Sequence, residues 1–192
     1  MAAMSAGGVA YVRGSVSTSK DRERDDFYPT PVAGIRALLD VEKFTGTIWE
    51  PACGDGAISR VLESAGHSVI STDLIDRGYG TPHVDFLLDY QTRAANVITN
   101  PPFKHAEDFA RHAVGLATGK VALLCRLAWL EGLQRRLMFT TTPLARVWVF
   151  SRRLKMQRGR QATSDDAGGT IAFAWFVWER GHKGPPSLGW LA

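Results

Sequence analysis

From Gly46 onward the sequence switches repeatedly between short apolar runs and stretches whose apolar residues recur at helical spacing, and few folds accommodate that rhythm. "GTIWE" reads as a strand, a glycine turn follows, and Ile58, Val61, Leu62 and Ala65 mark a helix that Gly66 ends. "HSVISTD" is then a second strand, so one βαβ unit fits in about thirty residues. The alternation continues: "ANVITNPPF" gives a strand, "KHAEDFARHAVGLAT" a helix, "GKVALLCRL" a strand and "AWLEGLQRRLMFTT" a helix. "LARVWVFS" and "GTIAFAWFVWER" are strands with no helix between them. Parallel neighbours need a crossover and antiparallel neighbours do not. The pattern therefore predicts an α/β fold: a mostly parallel sheet with helices on both faces and an antiparallel hairpin at one edge. Upstream, Pro29 and Pro31 force an extended entry, and Val32, Ile35, Leu38 and Leu39 predict a short amphipathic helix.

The chain has 192 residues, enough for one hydrophobic core and too few for two comfortable ones. Residues 1–24 are small, polar and without periodicity, which predicts a flexible arm ahead of a single domain over 25–192. Hydrophobic residues make up 45% and charged residues 22%, an ordinary globular balance. No apolar run approaches the ~20 residues of a membrane span, and the N-terminus lacks the order of a secretory signal, so a cytoplasmic location is expected. Two cysteines, Cys53 and Cys125, are too few for a disulfide framework, and the five histidines show no metal-ligand spacing, so no metal site is expected. The net charge of +4 is unevenly placed: from Gly132 to Arg160 there are eight basic residues and no acid. Five of them, Arg152, Arg153, Lys155, Arg158 and Arg160, lie in one loop between the last two strands, a surface suited to a polyanion such as DNA.

Ligands of open α/β sheets sit beyond the carboxyl ends of the strands, which is where "EPACGDG" falls. Gly54 and Gly56 permit a tight turn and close approach, and the following helix presents its N-terminus. Glu50 and Asp55 would repel a phosphate but suit an ammonium group or ribose hydroxyls. Asp73 closes the second strand, where an acid commonly receives a ribose, and Asp85 is placed to reach an adenine edge.

These residues resemble a known family. "EPACGDG" is similar to the S-adenosylmethionine-binding motif of class I methyltransferases, "NPPF" to the catalytic motif of amino-methyltransferases acting on adenine, and "FYPTP" to the N-terminal cofactor motif of adenine DNA methyltransferases. The resemblance runs from about Asp26 to Trp178 and is nearest to the small solitary adenine methyltransferases of phages and prophages, with motifs in the gamma order. It implies a Rossmann-like fold with a seven-stranded sheet, S-adenosylmethionine as cofactor and DNA as substrate. It also implies that Tyr28 or Phe27 packs on the cofactor's adenine and Thr30 bonds its carboxylate, with Ala52, Leu74 and Phe86 beside the acids. A plain structural brace by the same N-terminal segment is the alternative.

The two prolines of "NPPF" then have a purpose. Pro101 and Pro102 have fixed φ, so the carbonyls of this segment point in set directions. An aromatic amine is a poor nucleophile, and the Asn100 side-chain oxygen together with the Pro101 carbonyl, each accepting one N–H, would enrich its nitrogen. Phe103 is placed to stack on the base, a contact worth ~1–3 kcal/mol. Trp129 is a further candidate for lining the base pocket. No separate target-recognition region of useful size is present, so sequence specificity is short, borrowed from a second copy in a homodimer, or absent. Three rivals stay open: adenine in RNA, a protein glutamine, and a non-catalytic accessory module that binds the cofactor or DNA.

Overall fold

The structure, a computed structural model, describes residues 27–156 and 171–192. The arm expected over residues 1–24 lies outside the described residues, as do Arg158 and Arg160. Seven strands form one sheet: β1 (Ile48–Glu50), β2 (Val69–Ser71), β3 (Asn96–Thr99), β4 (Lys120–Arg126), β5 (Leu144–Phe150), β6 (Phe173–Glu179) and β7 (Ser187–Leu191). Their order is β2-β1-β3-β4-β6-β5-β7. Only the β4–β6 and β5–β6 pairings are antiparallel. Helices α1 (Val32–Val41) and α2 (Ala57–Ser64) cover one face, and α3 (Ala106–Leu116) and α4 (Leu133–Thr141) cover the other.

Residue alternation in the two central strands explains this layering. On β4, Val121, Leu123 and Cys125 join the core under α3 and α4, while Ala122 and Leu124 join the core under α1 and α2. On β6, Ala174, Phe176 and Trp178 face the first core, and Phe173, Trp175 and Val177 the second. Strands buried on both faces read as continuous apolar runs, as "VALLC" and "FAWFVW" do. The buried indoles keep their N–H groups bonded: Trp175 donates to the Gly34 carbonyl, Trp178 to Thr142 Oγ1 and Trp49 to Thr72 Oγ1, each at 2.9 Å.

Two details depart from the sequence expectation. The β5–β6 hairpin is not at the edge, because β7, in "SLGWL", pairs in parallel outside β5 while β6 is inserted between β4 and β5. An all-apolar strand such as β6 needs cover on both faces and both edges, whereas β7 leaves Leu188 and Trp190 largely exposed and tolerates an edge. Gly189 allows that pairing, since a Cβ there would lie 2.2 Å from the Trp148 ring. Trp129 is the second departure. It sits edge-on to Phe139, Phe176 and Trp178 in the core, so its bulk is used in packing, and it does not line the cavity at the strand ends.

Candidate functional site

Strands β1, β2 and β3 run parallel, so Glu50, Asp73 and Asn100 come from neighbouring strand ends on one edge of the sheet. The chain leaves β1 for β2 on one side and returns to β3 on the other. This reversal opens a crevice at the carboxyl ends of the strands. A cavity of about 610 Å³ occupies it, within the range of small-molecule sites. Most of the candidate residues line it: Phe27, Tyr28 and Thr30 from the N-terminal segment, Glu50, Ala52, Gly54 and Asp55 from the first turn, and Asp73, Leu74, Asp85 and Phe86 from the second. Asn100 and Pro102 line its far end. Gly56, Pro101 and Phe103 do not line it.

The glycine turn is built as its composition predicts, with Gly54 at φ 57° and Gly56 at φ 85°. What fills the space above them is the chain itself. A Cβ on Gly54 would lie 2.4 Å from the Phe27 ring, and one on Gly56 would lie 2.6 Å from the Tyr79 ring. Tyr79, which sequence spacing gave no reason to single out, thus covers Gly56 and bonds Glu63 at 2.9 Å. Arg77 lies over Phe27, 4.3 Å from its ring centroid, and completes that wall.

Glu50 is almost wholly buried, and its Oε2 accepts the backbone N–H of Ser59 at 2.8 Å and the Ser59 hydroxyl. It therefore caps α2, whose N-cap residue Gly56 has no side chain with which to do so. The helix N-terminus expected to meet a ligand is in this respect satisfied from within. Burial pushes the Glu50 carboxyl well above the usual carboxylate range, against the lowering effect of the Ser59 bonds and with the help of the Asp73 and Asp55 charges. Burial also pushes the Cys53 thiol at the cavity wall up to about 12, which keeps it a neutral thiol at neutral pH.

The aspartates divide the work. Asp73 accepts Gly54 N–H and Ile75 N–H, each at 2.8 Å, so it ties the two turns together while keeping further lone pairs. Asp85 accepts Leu87 N–H at 3.0 Å and starts a single 3-10 turn that brings Phe86 against Trp49. Asp55 Oδ1 is different: it is buried and bonded to nothing among the described residues.

Asn100 is the other such acceptor. Its Nδ2 donates to the Tyr28 carbonyl at 3.0 Å, which orients the amide and leaves Oδ1 buried without a partner among the described residues. The Pro102 carbonyl is taken by His105 N–H at 2.8 Å, while no described group donates to the Pro101 carbonyl. Phe103 is already flanked. Tyr28 stacks on it at 5.9 Å, Phe173 lies at 5.8 Å, and the Arg126 guanidinium sits 4.7 Å from its centroid. A base stacking on Phe103 has to displace one of these neighbours.

Of the basic loop, Arg152, Arg153 and Lys155 are described, and all three are exposed. Because β5 runs parallel to β4, they follow β5 on the same sheet edge as Asn100.

No family model matches the sequence, and no curated protein matches it. Solved structures do. A modification subunit assigned to a type I restriction enzyme from Vibrio vulnificus YJ016 superposes with a TM-score of 0.56 at 12% identity, over 84% of this chain and 45% of its own. A protein of Pyrococcus horikoshii assigned as an RNA methyltransferase gives 0.55 at 14%, over 77% of this chain and 80% of its own. One of Listeria monocytogenes assigned as a class I S-adenosylmethionine-dependent methyltransferase gives 0.52 at 16%, over 83% and 62% respectively. The fold is that of the class I methyltransferases. This chain spans less than half the length of the restriction subunit it matches. Among the described residues no helix is long and apolar enough to cross a membrane.

Proposed function

We propose that this chain transfers the methyl group of S-adenosylmethionine to the exocyclic N6 amine of adenine in DNA. The observation that carries the reading is the buried, unpartnered Oδ1 of Asn100, with its amide orientation set by Tyr28 at one end of a carboxylate-lined cavity. A buried acceptor left unsatisfied costs about 1–3 kcal/mol, so its retention points to a donor that arrives from outside.

The cavity residues fit the cofactor. Its apolar wall of Val84, Phe86 and Leu87 suits an adenine, and Asp73 and Asp85 offer acceptors to ribose hydroxyls and the adenine edge. The unpaired Asp55 Oδ1 suits an ammonium group. When bound, the cofactor supplies a methyl group activated on a sulfonium. The chain's own contribution is acceptance and alignment: Asn100 Oδ1 and the Pro101 carbonyl each take one N–H of the target amine. Its nitrogen lone pair is thereby freed from the ring and directed at the cavity. Both acceptors are preset, Asn100 by the Tyr28 bond and Pro101 by its own ring together with the restriction that Pro102 places on it, so they need no reorganisation as charge develops. The exposed Arg152, Arg153 and Lys155 on the same edge favour a polyanionic substrate.

Calorimetry with S-adenosylmethionine tests the first half of this proposal, and failure of the folded chain to bind it would end the reading. Incubation with labelled cofactor and, separately, duplex DNA, single-stranded DNA, RNA and protein tests the second half. Label is expected in N6-methyladenine of DNA. Label confined to RNA or to glutamine would replace the substrate while keeping the chemistry.

A further inference from the structure

Arg126 is the last residue of β4, on the strand next to β3. Thr99 pairs with Leu123, so Arg126 stands two positions beyond the level of Asn100, roughly 7 Å at strand rise. Its guanidinium lies over Phe103, and its Nε is buried with no acceptor among the described residues. The side chain lines a second cavity, of about 550 Å³, with Leu127, Ala128, Glu131, Ile171 and Ala172. Glu131 is exposed and forms no ion pair with Arg126. By contrast, Arg146 at the other end of the sheet pairs with both Glu42 and Glu179. A half-buried guanidinium without a carboxylate is costly to keep unless an anion arrives to meet it.

We propose that Arg126 receives a backbone phosphate of the nucleic-acid strand whose amine is presented to Asn100, which makes the substrate of this site a polynucleotide and not a protein amide. This rests on the reading of the crevice as a methyl-transfer site. A guanidinium offers a planar fork of N–H donors matched to phosphate oxygens, and Phe103 holds its plane in place. A neutral glutamine side chain gives such a charge nothing to pair with. The position, one strand away from Asn100, places the phosphate contact beside the reacting amine, while Arg152 and Lys155 serve the strand further out. Glu131 borders the same cavity and opposes the incoming charge, so its neutralisation strengthens the contact.

The test measures fluorescence anisotropy of a labelled, adenine-containing oligonucleotide, single-stranded and duplex, with the full chain, from about 50 to 200 mM salt. R126Q is expected to weaken binding several-fold and to reduce the slope of log K against log salt by about 0.7–0.9, the value of one phosphate contact. R126K retains most of the slope, and E131Q tightens binding. In R126Q, S-adenosylmethionine calorimetry is expected to be unchanged and the melting temperature no lower than wild type, because the substitution removes a charge that is costly to bury. A wild-type slope in a folded R126Q, or unchanged binding in E131Q, overturns the proposal. So does a wild-type chain that takes up the cofactor but neither oligonucleotide. A wild-type chain that takes up no cofactor overturns the methyl-transfer reading instead, and the effect of R126Q on the salt slope remains readable in that case.

Discussion

Gly54 carries two constraints that substitution separates. Its φ of 57° lies in the left-handed region, where an L-residue costs roughly 1–2 kcal/mol. A Cβ there also meets Phe27, at 2.4 Å from Cε2, 3.2 Å from Cδ2 and 3.3 Å from Cζ. The ring cannot keep its place and has to swing outward, losing its contact with Arg77 and its partial burial, worth about 1 kcal/mol. G54A is therefore expected to lose about 2–3 kcal/mol of stability. Gly66 provides the control, since its φ is 89° with nothing within 4 Å of a Cβ, so G66A loses only the backbone part, about 1–2 kcal/mol. Urea unfolding of G54A and G66A, each alone and combined with F27A, isolates the clash: the excess loss of G54A should vanish in the F27A background. Calorimetry should show weakened S-adenosylmethionine binding in G54A, because the displaced ring also borders the cavity. If the F27A background leaves the loss caused by G54A unchanged, the close approach of Phe27 to Gly54 is wrong.

Three other outcomes are expected. N100A should lower kcat by about 10²–10³ with little change in cofactor affinity, and N100D should not rescue it, because a carboxylate cannot donate to the Tyr28 carbonyl; single-turnover methyl transfer within tenfold of wild type would refute the role of Asn100. Burial raises the Glu50 carboxyl, so the folded chain holds a proton that the unfolded chain releases above about pH 4.3, and this group's contribution to stability falls as pH rises from there. E50Q imitates the protonated form, so its urea midpoint should improve relative to wild type between about pH 5 and 8, and parallel curves would contradict the shift. At Glu42 burial also raises the carboxyl, but bonds from Arg146, Lys120 (2.6 Å) and Trp148 (2.9 Å) outweigh it and hold the group below the usual range. Its contribution is present above about pH 4.3 and lost as pH falls through the lower folded value, so E42Q should cost about 3 kcal/mol at neutral pH, and the gap should close in acid.

Much of the sheet was legible because strand and helix periods are local properties of the chain. The alternation that starts at "GTIWE" locates β1 to β6 and α2 to α4 within a few residues, the spacing from Val32 to Leu39 locates α1, and positive φ at Gly54 and Gly56 follows from glycine in a tight turn. The crevice acids were legible too, since each sits at the end of a readable strand or turn. Edge order was not. Whether β6 lies outside or inside depends on which neighbour buries its two apolar faces, and "SLGWL" has too little apolar content to announce a seventh strand. Nor did spacing mark Tyr79, Arg77 or Arg126. Each acts through a partner distant in the chain, respectively Gly56, Phe27 and Phe103.

By itself, then, the sequence determined the layered α/β architecture and the chemical types gathered at the strand ends, because periodicity and side-chain chemistry belong to each residue where it stands. The tertiary structure alone decided how those groups are used. Glu50 caps α2, Asn100 turns its oxygen inward because Tyr28 holds its nitrogen, and Phe103 lies between Tyr28 and Arg126. The physical reason is that a hydrogen-bonding group is committed or left open by whichever partners the packed chain brings within about 3 Å, and those partners lie tens of residues away.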